Sequence, residues 1–362
     1  MGRIILIIVV ILLVAIGATF FLLPSSASRT ETLAIDRPAG TVLARLASTP
    51  PGASLGEGIT LTEITSSDEN SVTGTVAYAD GETGRVTYTV TPEGEGSSVE
   101  VKLEQNLGMN PIARFQGMNG AAVEPRIATA ASAVTADLSA LPNATFAGLQ
   151  YNVVQVQAQP FFYVQNCSPT DAESVTSVVQ QALVAVNAVM VANRLVATGN
   201  PIAVEPRVED NQYCYQVGYP YSGTPPRVLA IGAAGQTPAG TALRVVYTGT
   251  EEDVIAQVYD PLDALLAAAH LDDPTTREDD WVTFEVYHDD PTQEGGSRMR
   301  EIFYVAEGDV ARLTQIAPPA AETIALPTAE PAQTEEAPAA EEGEAAGANA
   351  EAAETPETEP AE

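Results

Sequence analysis

The chain has 362 residues, a length that allows two folded domains with further segments. Hydrophobic residues make up 45% and charged ones 18%, which excludes a wholly disordered chain. Acidic residues outnumber basic ones 48 to 16, and a formal charge of -32 excludes nucleic acid as a partner.

Ile4 to Leu23 is apolar or small throughout. A helix of that length spans about 30 Å, one hydrocarbon core. A cleavable signal peptide is the rival, since Ser25-Ser26-Ala27 roughly fits the small-x-small cleavage rule. Signal apolar runs are about 7–15 residues, shorter than this one. Residues 1–28 are therefore expected to be an uncleaved anchor, making the protein single-pass in the cell's inner membrane. Arg3 precedes the span while Arg29 and Arg37 follow it, so the charge bias is small. The soluble part is expected in the periplasm.

The first soluble stretch, 29–142, opens with an expected strand (29–36) and a short helix (41–48). Alternating segments follow at 59–64, 71–79, 84–91 and 98–104, punctuated by turn groups such as Asp80-Gly81-Glu82. A helix then runs over 125–141. In it Ile127, Ala131, Val134, Leu138 and Leu141 form one stripe, suited to lying across a sheet.

The second stretch, 145–308, contains a tandem repeat at an offset of about 80 residues. Its first half reads strand (151–165), helix (170–197), strand (202–208), strand (213–221). Its second reads strand (241–248), helix (251–271), strand (281–288), strand (298–306). Thr170 and Glu173, and Thr250 and Asp253, have the spacing of a helix-capping pair. Gly199 and Pro201 are expected to close the first helix. Such a pair of units is expected to form one pseudo-symmetric domain with a cleft between its halves.

Residues 309–362 are expected to be a disordered acidic tail. From Pro318 onward there are twelve glutamates and no other charged residue. Such a segment buries too little apolar surface to offset its chain entropy.

On strand 281–288, alternation puts Trp281, Thr283, Glu285 and Tyr287 on one face. Tyr213, Tyr215, Tyr219 and Tyr221 share a face in the same way. A partly desolvated carboxylate among aromatic rings attracts a cation. The same surroundings could raise the carboxyl pKa enough for general-acid work. No metal site is expected: His270 and His288 are the only histidines, and no ligand cluster surrounds them. No GxSxG, Walker or GxGxxG motif occurs, so no cofactor is expected. Cys167 and Cys214 form either a disulfide or two free thiols.

Two family resemblances add to this reading. The run Phe21-Leu22-Leu23-Pro24 followed by Arg29-Thr30-Glu31-Thr32-Leu33-Ala34-Ile35-Asp36-Arg37-Pro38, with Asn110-Pro111-Ile112-Ala113-Arg114, resembles membrane-anchored SRPBCC (START-like, polyketide cyclase/dehydrase) proteins. This implies a helix-grip module, though Ser48 to Gly58 lacks the family's tryptophan-bearing segment. Gly199-Asn200-Pro201-Ile202-Ala203, Val217-Gly218-Tyr219-Pro220, Tyr247-Thr248-Gly249-Thr250 and Glu285-Val286-Tyr287-His288 resemble the GyrI-like (AraC effector-binding) superfamily. That resemblance implies a small cationic or amphipathic ligand, with Glu285, Tyr287, Trp281, Tyr215, Tyr219 and Tyr247 as site residues. The expectation is an α+β, membrane-anchored small-molecule binding protein without chemistry of its own. The rivals are a hydrolase using Glu285 and a scaffold working through its acidic tail.

Overall fold

The computed structural model describes residues 24–108, 111–117, 120, 123–169, 171–209, 212–226, 231–271, 282–292, 298–305 and 310–326. The apolar run 4–23 and the acidic segment from 327 onward lie outside the described residues. The described chain is α+β, with two antiparallel sheets.

The first sheet contains β1 (Ser26–Ile35), β2 (Ile59–Ser67), β3 (Ser71–Tyr78), β4 (Thr83–Glu93) and β5 (Gly96–Asn106), in the order β1-β5-β4-β3-β2. Strand alternation sets its buried face, which carries Val72 and Val76 of β3, Val86 and Tyr88 of β4, and Val99 and Leu103 of β5. Helix α1 (Ala39–Ala47) follows β1, and α2 (Pro111–Gly117) and α3 (Glu124–Ser139) follow β5. The stripe expected on the long helix is the buried one. Ile127, Val134, Leu138 and Leu141 join the sheet side chains in one core cluster.

The second sheet comprises β6 (Asn152–Val156), β7 (Pro160–Ser168), β8 (Val196–Ala197), β9 (Ile202–Glu209), β10 (Gln212–Ser222), β11 (Ala233–Gln236), β12 (Gly240–Thr248), β13 (Val282–Tyr287) and β14 (Met299–Val305). Its order is β11-β7-β10-β9-β13-β14-β12-β6, with β8 beside β10. The repeat is visible in that order. Strands β7-β10-β9 of the first half meet β13-β14-β12 of the second, and β9 pairs with β13 at the join. There Glu285 stands directly opposite Ala203.

The expected strand 151–165 is in fact two. Strand β6 pairs with β12, whereas β7 pairs with β10 and β11, near the other end of the sheet. Four peptide steps from Val156 to Pro160 reach at most about 14 Å. The sheet must therefore curl until its ends approach. Its inner face is filled by Phe161, Ile202, Ala242, Phe284, Phe303 and Val305, with Phe284 and Phe303 stacked at 4.6 Å. An open hollow on that side, one form the expected cleft could take, is replaced by packed rings.

The outer face is covered by helices, one set from each half. These are α4 (Ala172–Ala192) and a run of α5 (Glu251–Val254), a π-helical turn (Ile255–Tyr259) and α6 (Asp260–Ala268). Thr250 caps its helix as expected, its Oγ1 accepting from the Asp253 amide at 3.2 Å. At α4 the cap is Asp171, with Oδ1 accepting from the Ser174 amide at 2.9 Å, and Thr170, the expected capping residue, lies outside the described residues. Both helices also stop in the same way. Arg194 and His270 take left-handed φ values of 57° and 56°. The amides of Leu195 and Leu271 reach back to the Met190 and Leu266 carbonyls, which closes each helix in a Schellman motif. Gly199 and Pro201, expected to end the first helix, lie beyond this stop.

The fold also continues past residue 308. Helix α7 (Val310–Ile316) buries Leu313, and the chain after it is strapped to β6. Asn152 donates from Nδ2 to the Glu322 carbonyl at 3.0 Å and accepts from the Ile324 amide at 2.8 Å. Arg244 Nη1 donates to the Ile324 carbonyl at 2.8 Å. An expected tail beginning at 309 is thus corrected: the segment through Ile324 is held by side chains whose distance in sequence hides the contact.

The two sheets meet through α1 and α6. Arg45 pairs with Asp137 at 2.6 Å and donates from Nη1 to the Ala267 carbonyl at 2.6 Å, placing a cation at the C-terminus of α6. His270 Nε2 lies 3.0 Å from the Arg45 carbonyl oxygen and so donates to it. Burial and the Arg45 guanidinium hold the His270 pKa below its ordinary value, with Arg312 acting the same way and Asp137 opposing. The unfolded chain therefore takes up this proton first as pH falls. Stability contributed here is complete above about pH 6.5 and declines as pH drops through that value towards the folded pKa. Urea unfolding between pH 7.5 and 5 should show this loss, and His270→Asn should reduce it. Asparagine tolerates the left-handed backbone without titrating.

Candidate functional site

Strand alternation on β13 points Thr283, Glu285 and Tyr287 toward the helices and Phe284 into the filled interior. On β14 the outward set is Arg300, Ile302 and Tyr304, and on β12 it includes Leu243, Val245 and Tyr247. Glu285 lies at the seam between the two helix-covered cores. Tyr287 belongs to the first half's cluster, while Tyr247 and Tyr304 belong to the second's.

The Glu285 side chain retains 12% exposure, and both of its oxygens are engaged. Tyr259 Oη donates to Oε1, and Arg300 Nη1 donates to Oε2 at 3.0 Å. Arg300 is fully buried. In register it stands between Tyr247 of β12 and Tyr287 of β13, with Cζ 5.9 Å and 5.5 Å from their ring centroids. Both lie within cation–π range. Burial drives the Tyr259 pKa well above its usual value, and the Glu285 charge adds to the rise. Its hydroxyl stays protonated near neutrality and serves as a donor.

The structure thus brings together Glu285, Tyr287 and Tyr247 among the residues named from sequence. Tyr215 and Tyr219 lie on β10, with β9 between them and β13, and pack against the α4 layer. Trp281 lies outside the described residues. Arg300 and Tyr259 were not among the expected site residues. An arginine on the otherwise hydrophobic outward face of β14, with Ile302 and Tyr304, was the available signal for the first. The π-helical turn that presents Tyr259 has no sequence signature, although such turns occur frequently at functional sites.

Other candidate groups are already committed. His288 Nε2 lies 2.6 Å from Glu301 Oε2 and its Nδ1 lies 3.0 Å from Asn200 Nδ2, while Arg244 binds the other Glu301 oxygen. Asp289 accepts from the Arg298 and Met299 amides at 2.8 and 3.1 Å, closing a turn. Among the described residues no group of three or more His, Cys, Asp or Glu side chains is placed to hold a metal. Cys167 and Cys214, opposite one another on β7 and β10, form a disulfide. A shallow groove of about 470 Å³ beside it, lined by Cys167, Ser168, Glu173 and Ser177 among others, shares no residue with the Glu285 site.

No protein-family model and no curated protein matches the chain. Among solved structures, SAV2435 bound to tetraphenylphosphonium is 9% identical, over 44% of this chain and 95% of that one, with TM-score 0.31. The EcmrR–DNA complex is 16% identical, over 43% and 56%, with TM-score 0.33. A hydrolase from Listeria innocua is 11% identical, over 43% and 91%, with TM-score 0.28. These scores are too low to bear on function.

Proposed function

We propose that the chain is a non-catalytic small-molecule binding protein, tethered to the membrane by residues 1–28. Its GyrI-like second module takes a cationic or amphipathic ligand beside Glu285, and its START-like first module serves as a packed support. The observation that carries this reading is a carboxylate with residual exposure at the seam of two duplicated halves, bonded to Tyr259 and to Arg300, whose guanidinium faces the Tyr247 and Tyr287 rings. A site of this kind offers charge pairing and aromatic faces together. The donor bonds to both Glu285 oxygens and the high Tyr259 pKa argue against a proton-transfer role for the pair. A disulfide supports an oxidising compartment, and hence an exported soluble part.

Tetraphenylphosphonium, the cation present in the SAV2435 structure, is a suitable probe. Thermal unfolding of the full-length protein should shift upward with its concentration, and the shift should vanish in Glu285→Gln. An equal shift in the variant removes Glu285 from the account. A scaffold reading is favoured by one observation: the protein's own groups already satisfy Glu285. It gains ground if no cation shifts the transition.

A further inference from the structure

On the reading that Glu285 marks the ligand site, we infer that Arg300 is a built-in competitor that occupies the cation position and sets the site's selectivity. The chemistry a cationic ligand would use consists of one carboxylate and the flanking rings of Tyr247 and Tyr287. The guanidinium of Arg300 already meets all three, at 3.0 Å from Oε2 and 5.9 and 5.5 Å from the ring centroids. Its place is fixed by the ladder rather than by a flexible loop. Strand β14 lies between β12 and β13, and Arg300 is the register partner of Tyr247 on one side and Tyr287 on the other.

Arg300 and Glu285 together carry no net charge, so an approaching cation meets little attraction. Two unit charges in contact at a protein-like dielectric interact strongly enough to change the affinity of a small ligand by about tenfold or more. A bound cation must either displace the guanidinium or lie beside a like charge. Strong cations, tetraphenylphosphonium among them, bind the wild type weakly and gain affinity when the guanidinium is removed, whereas neutral ligands are indifferent to it.

The test compares tetraphenylphosphonium binding by calorimetry for full-length wild type, Arg300→Met and the double variant Arg300→Met/Glu285→Gln. Arg300→Met should bind at least about tenfold more tightly than wild type, and the double variant should lose that gain. Equal or weaker binding by Arg300→Met, with wild type still binding, overturns the competitor role and leaves the ligand site standing. Absence of binding in every form overturns the ligand site, and the inference with it. Should Arg300→Met fold poorly, refolding yield with and without the cation gives the same decision. Rescue by tetraphenylphosphonium supports the role, whereas an unchanged yield at every concentration of the cation overturns it.

Discussion

Glu285→Ala should destabilise the protein by about 3–5 kcal/mol, the usual cost of breaking a buried ion pair from one side. The magnitude follows from what the substitution leaves behind. Arg300 is fully buried and loses the carboxylate that balances it, while the Tyr259 hydroxyl loses its acceptor. The Arg300 guanidinium cannot turn to bulk water without opening the seam between the helices. Removing both charges is a different perturbation. Glu285→Leu combined with Arg300→Met replaces the pair with apolar volume and should recover most of the loss. Urea unfolding of the two variants decides the matter. A loss below about 1 kcal/mol for the single change would mean that water reaches the pair, and the account of a desolvated site would fail.

Reduction of the Cys167–Cys214 disulfide should cost about 4 kcal/mol, by the chain-entropy relation for a loop with ends 47 residues apart. The loop it closes contains α4 and β9, so the bond constrains most of the first half of the repeat. Cys167 is exposed, which gives a reductant access. Unfolding in denaturant with and without dithiothreitol should show the loss, and Cys167→Ser/Cys214→Ser should reproduce it without reductant. An unchanged midpoint would show that the cross-strand ladder alone restrains the unfolded chain.

The elements and the duplication could be read from the chain because they depend on local periodicity. Alternation placed Glu285 and Tyr287 on one face, and 3–4 spacing placed Ile127, Val134 and Leu138 on another. What could not be read depends on register and on long-range contact. The meeting of Arg300 with Glu285 needs the pairing of β13 with β14 to be known residue by residue. The division of strand 151–165 falls just before Pro160, a breaker present in the sequence, but the different neighbours that its two parts find could not be read from it. The strap along β6 is invisible for the same reason, since Asn152 and Ile324 are 172 positions apart.

The facing of Ala203 and Glu285 bears on how the site diverged. If the halves descend from one ancestral unit, the join between them runs along the pairing of β9 with β13, and these two residues face each other across it. An acid at both would set two negative charges directly opposite each other across paired strands, which is unfavourable. Only one copy could keep a carboxylate there, and a methyl group in the other makes the room. A stable unshared charge at the join is therefore favoured by the two copies differing there, so the repeat is asymmetric at its centre even where its strands are not.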